Sequence, residues 1–226
     1  MSLLQDKVWK LKYTLDDGNL VRIFYVPALG CAQRYDRVTG YFSAPALALA
    51  ARGVEGLVFN DGRMRLLVGC TLDPPEITAI ERGENLRNAV ERAILSTPNF
   101  SADSKTLNSM ELLAWMIAKG YLDVKVAVPC DENRRPCADQ GIFHEKTGII
   151  EDKTGDRIAF TGSVNETPAG WTRNWESFNC FTSWNDGPRV DVEDAGFAKL
   201  WANKATRAIV LDVPVAVREN FFLGQS

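Results

Sequence analysis

Histidine is almost missing from this 226-residue chain: there is one, His144. Chemistry that needs two imidazoles must therefore find the second outside the chain. An excess of positive charge is missing too. With 26 basic against 29 acidic residues the net charge is −3, so no global field draws in a polyanion and a nucleic acid would be met by a local patch. No apolar run approaches the ~18 residues of a membrane span, and the first thirteen residues carry charges where a secretion leader carries its apolar stretch. A cytoplasmic protein with no membrane partner is expected. Cysteine is sparse and odd in number (Cys31, Cys70, Cys130, Cys137, Cys180), which favours reduced thiols over a disulfide framework. Seventeen Gly and ten Pro are too few for a low-complexity chain, and six Trp with eleven Phe argue against disorder. What remains suffices for one domain with a sizeable core. We divide it into an N-terminal extension (1–30), a core (31–205) and a C-terminal tail (206–226) that could link to a further domain.

Along the chain, Val21 to Val26 (VRIFYV) reads as a strand ended by Pro27. Tyr35 to Ser43 is aromatic and β-prone, and Ala44 to Arg52 opens with Pro45 in the first turn of a helix. Arg63 to Gly69 is a strand whose end is fully apolar, as when helices cover both faces. Glu76 to Leu95 and Thr106 to Lys119 read as helices, the second capped by Gly120 and leading to a strand at Val124 to Val128. After the polar loop Pro129 to Gln140, Ile142 to Ile150 and Ile158 to Thr161 flank the turn Asp152 to Asp156 as a hairpin. A strand at Ser177 to Thr182 and an amphipathic helix at Val192 to Ala205 close the core. Crossover units followed by a hairpin predict an α/β/α sandwich around a mixed sheet.

Chemistry concentrates between Phe143 and Phe181. His144 and Lys146, two apart in an extended segment, project from one face, and an imidazole beside an ammonium suits an anion. Ser163 and Asn165 follow the next strand, where side chains of an α/β sheet meet ligands. If the hairpin holds, both strand ends converge on one site.

These residues resemble the signature of the phospholipase D superfamily, H-x-K-x4-D followed by G-S-x-N. The match is His144, Lys146, Glu151 in place of the usual Asp, then Gly162, Ser163 and Asn165, with Asn174 and Glu176 similar to the N-x-E of the nuclease branch. Asp152 adjoins Glu151 and is an alternative for that acid. The resemblance implies a phospholipase D-like fold and a phosphodiesterase that needs neither metal nor cofactor. His144 would attack phosphorus, Lys146 and Asn165 would hold the equatorial oxygens, and Glu176 or Glu151 would accept the other imidazole N–H. The wording RYDRVTGYFSAPALALAARG, LLVGCTLD and FTGSVNET is also similar to phospholipase D-like domains fused to bacterial helicases of restriction and anti-phage systems, which implies DNA as substrate.

The family reaction uses two histidines, one as nucleophile and one as general acid. With His144 alone, the expectation is a homodimer in which two chains pair about a two-fold axis. A catalytically silent module that binds nucleic acid or mediates dimerisation is the alternative. Two basic patches are candidates for gripping a strand: Arg34, Arg37 and Tyr41, with Tyr35 beside them, and the loop Arg134 and Arg135. A zinc site from Cys130, Cys137 and His144 is a rival of another class, although the sevenfold spacing lacks the usual close cysteine pair.

Overall fold

A computed structural model describes residues 2–40, 51–70, 112, 115–136, 141–165 and 167–212. Its frame is one eight-stranded mixed sheet: β1 (Lys12–Thr14), β2 (Ala32–Thr39), β3 (Arg63–Gly69), β4 (Leu122–Pro129), β5 (Thr147–Asp152), β6 (Arg157–Gly162), β7 (Ser177–Thr182) and β8 (Ala208–Asp212), in spatial order β1-β7-β6-β5-β2-β3-β4-β8. Strands β2, β3 and β4 run parallel, and every other pairing is antiparallel. The sheet changes character at β2, with parallel β3 on one side and antiparallel β5 on the other.

Helices cover both faces, as the sequence predicts. On one face lie a π-helical turn at Val21–Tyr25, α1 (Val26–Leu29) and α2 (Ala51–Phe59). Their core centres on Phe24, whose ring meets Trp9 at 5.7 Å, Tyr13 at 5.0 Å, Phe160 at 5.0 Å and Phe178 at 4.7 Å. Burying one such ring contributes roughly 1.5–3 kcal/mol, which explains why VRIFYV is helical here and not the expected strand. Pro27 then sits at the second residue of α1, where the π-helical turn passes into α-helix. Contact between α2 and α1 depends on Gly56, whose Cβ would fall 2.7 Å from the Gly30 Cα. Of the helix expected over Ala44 to Arg52 the described residues hold only the last two, and these begin α2, which runs on to Phe59.

The other face is covered by α4 (Ser183–Trp201), whose Val190, Phe197 and Leu200 join Val38, Leu67, Ile149 and Ala159 of the sheet in a second core. It begins earlier than the expected Val192, passing a non-helical Asp186 and Pro188, the residues whose turn character hid its start. A short helix, α3 (Pro168–Thr172), joins β6 to β7. The hairpin and its turn are as expected: Glu151 pairs with Arg157, Gly155 has φ +85°, and Asp152 Oδ1 accepts from the Thr154 N–H and hydroxyl. Within 206–226, read as a tail, β8 is an edge strand of the sheet. Residues 112 and 115–118 are helical and Gly120 has φ +74°, as the expected C-cap requires. The expected helix at Glu76 to Leu95 lies outside the described residues. Among those residues no helix is long and apolar enough to cross a membrane.

Candidate phosphate-binding site

Strand direction brings the signature together. The carboxyl end of β2, the amino end of β5, the carboxyl end of β6 and the amino end of β7 share one edge of the sheet: Val38 pairs with Thr147, Thr147 with Thr161, and Gly162 with Phe178. That edge is where the parallel strands end, the usual place for a ligand in an α/β sheet.

His144 is exposed just before β5, and Lys146 is buried behind it. The Lys146 ammonium donates to the His144 carbonyl at 2.8 Å, so the same side chain fixes the backbone of the imidazole-bearing residue. Gly40, which follows β2, measures the convergence. A methyl group on it would lie 3.5 Å from Lys146 Nζ and 3.4 Å from Asn165 Oδ1, so both polar ends border one point. The Thr39 hydroxyl donates to Asn165 Oδ1 at 3.3 Å. That contact sets the flip of the amide and leaves its donors on the opposite, NH2 end.

Electrostatics reinforces the anion preference. Burial, then the nearby Arg37 guanidinium, lowers the Lys146 pKa, and the Glu176 carboxylate partly offsets both. Glu176 is itself buried, just before β7, and accepts from Asn174 Nδ2 at 3.3 Å. Gly162 is required by close packing: its Cβ would meet the Ser177 carbonyl at 2.1 Å, so any side chain would push β7 away from β6.

Other expected site residues have different places. Arg37 is fully buried, donates to the Val164 carbonyl and lies 5.1 Å from the Phe160 ring, and Tyr35 is buried as well. Arg34 lies beneath α4, bonded to Glu151 at 2.6 Å and Asp194 at 2.9 Å. The expected Arg34/Arg37 patch is therefore split between the two covered faces, because residues three apart on a strand point oppositely. Glu151 likewise projects to the α4 side while Lys146 projects to the other, five residues along the strand, ~16 Å away. It serves the ion cluster of Arg34, Asp36, Arg65, Arg157 and Asp194 and stands apart from His144. Asp152, the alternative acid, is buried and ties the hairpin turn to the Leu4 N–H at 2.8 Å. The Ser163 hydroxyl accepts from the Ser177 N–H at 3.2 Å, zipping β6 to β7.

Arg134 is held by the Ala205 carbonyl and by Asn203 Oδ1 at 2.6 Å, whereas Arg135 is exposed. Tyr41 and Cys137 lie outside the described residues. Cys130 is buried, its thiol 3.6 Å from the Thr206 carbonyl. Sequence reading missed Thr39 and Gly40, which carry no charge, and the structural role of Arg37. The strand ends predicted for β2 and β5 could have indicated the first two.

No protein-family model matches the chain, and no curated protein matches it by sequence. Among solved structures it is similar to NucT from Helicobacter pylori, at 14% identity over 88% of this chain and 97% of that one, with a TM-score of 0.49. Nuc from Salmonella typhimurium, a phospholipase D family member, is similar at 14% identity over 84% and 90% of the two chains, TM-score 0.44. A phosphatidylserine synthase from Haemophilus influenzae is similar at 15% identity over 89% of this chain and 39% of that one, TM-score 0.47.

Proposed function

We propose that this chain is a phosphodiesterase module of the phospholipase D type, acting on nucleic acid with DNA as its substrate. The observation that carries the reading is the convergence of Lys146 and Asn165 beside Gly40, with His144 anchored to the Lys146 ammonium at the same sheet edge. Such a set gives a phosphodiester a nucleophile and fixed donors for the charge that develops on its equatorial oxygens.

The reaction has two balanced steps. An imidazole nitrogen of His144 attacks phosphorus, forming a P–N bond as the P–O bond to the leaving group breaks, and a second imidazole gives that oxygen its proton. The second imidazole then takes a proton from water, which attacks the phosphohistidine and restores the first. Because the chain has one histidine, the second comes from another copy related by a two-fold axis. Glu176 accepts the remaining N–H of the nucleophile and fixes its tautomer. The sequence likeness to helicase-fused domains supports a place within a larger helicase-containing defence protein.

The test is incubation with labelled single- and double-stranded DNA in excess EDTA. Cleavage should persist under chelation and vanish in His144→Ala. Activity that is lost in EDTA and restored by Mg²⁺ overturns the mechanism, and a wild-type protein that binds DNA without cutting it identifies the catalytically silent module.

A further inference from the structure

The loop leading into β7 carries side chains that the phosphate site does not use. Arg173 and Trp175 are exposed, Trp175 at 70%, close before buried Glu176. A single exposed apolar side chain needs no explanation. This one adjoins the phosphate site, and two residues before it stands a guanidinium that makes no ion pair among the described residues. The loop is also held in place. The Arg173 and Asn174 N–H groups both donate to the Ala169 carbonyl, at 2.9 and 2.7 Å, and Trp171 is buried against Tyr25 and Phe178 at 4.5 and 6.2 Å. A rigid indole costs little entropy when it binds a flat partner.

We propose that Arg173 and Trp175 form a nucleotide-binding rim, with Trp175 stacking on an unpaired base next to the scissile phosphate and Arg173 holding a neighbouring phosphate, so that the substrate is single-stranded. The placement rests on the phosphodiesterase reading of the adjoining site. Glu176 is buried within electrostatic reach of Lys146, whereas its neighbour Trp175 is exposed, so the two side chains leave the backbone in different directions. The substrate strand accordingly crosses the sheet edge, phosphate on one side and base on the other. A paired base has its faces covered by its own stack, whereas an unpaired one offers a π-face to an aromatic side chain. A cation beside an aromatic is the pairing by which single strands are held without reading their sequence.

The measurement is the Kd of a labelled oligothymidylate by fluorescence anisotropy, made throughout in a His144→Ala background so that the probe is not cut. Trp175→Ala should weaken binding roughly 10-fold and Trp175→Phe should recover most of it. Arg173→Ala should reduce the slope of log affinity against log salt by about 0.7, the value for one phosphate on a single strand. On a base-free deoxyribose-phosphate strand of the same length, wild type and Trp175→Ala should bind alike. The rim is overturned if Trp175→Ala binds oligothymidylate as wild type does, or if its deficit is undiminished on the base-free strand. It is equally overturned if the substitution only dissociates a dimer, which would make the loop an interface between copies. If no diester is cut while Trp175→Ala loses binding, the phosphodiesterase reading fails and the rim stands.

Discussion

Lys146 does two things at once: it anchors the His144 backbone and places a positive charge where an anion would sit. Because burial and Arg37 lower its pKa below the ordinary 10.5, it loses its proton earlier than a solvated lysine. Turnover that requires the ammonium should therefore fall on an alkaline limb below pH 10.5. Lys146→Arg, which stays charged, should abolish that limb, and a pH–kcat profile checks both. Stability has the opposite sign. The unfolded chain binds this proton more tightly, so the group costs stability at neutral pH, and the cost is relieved as pH rises through the lowered pKa. Lys146→Ala or Asn165→Ala should cut kcat by roughly 10²-fold or more with the melting temperature nearly kept. Near-normal turnover in both would remove them from the site.

Strand β2 divides its side chains between two environments. Arg37 and Thr39 reach Val164 and Asn165 at the candidate site, while Arg34 and Asp36 face α4. There Arg65 grips Asp36 through two bonds at 2.7 and 2.6 Å and lies 4.9 Å from the Phe197 ring. Burial alone would raise the Asp194 pKa, but the hydrogen bonds from Arg34 and Arg157 hold it below its ordinary 3.8. Its contribution to stability is present above pH 3.8 and is lost as pH falls through the lowered value. Asp194→Asn should thus be less stable than wild type near neutrality, with the gap closing in acid unfolding. Glu151→Gln should cost about 1 kcal/mol in denaturant unfolding and leave kcat within about 2-fold. A large loss of kcat would return Glu151 to the reaction. Most of the sheet and the grouping of His144, Lys146 and Asn165 were legible in the sequence, because period-two patterns and turn residues encode strand ends. The face that each arginine takes was not, since both faces of this sheet are covered and charge no longer marks the outside. Nor was the helical state of Val21–Tyr25, a β-prone run whose conformation is decided by the aromatic core around Phe24.

At the scale of the molecule, the proposed two-imidazole reaction would make the oligomer part of the chemistry, because each chain brings one histidine. Mixing wild type with His144→Ala and allowing subunit exchange should give activity that falls approximately as the square of the wild-type fraction. A straight line, or an active monomer in sedimentation, ends the two-copy mechanism. The sheet has a further consequence, for synthesis. Strand β2 closes on β5 through pairs such as Arg37 with Gly148, and β1 joins the far edge through Lys12 with Asn179. At ~5–20 residues per second, a ribosome needs on the order of ten seconds between making β2 and making its antiparallel neighbour. Throughout that interval β2 is an open edge, the kind of surface on which nascent chains aggregate. Arg34, Asp36 and Arg37 interrupt its apolar residues, the pattern by which charges discourage such pairing. The charges that end in an ion cluster and under the candidate site thus stand where, on this reasoning, they would shield the growing chain from its neighbours.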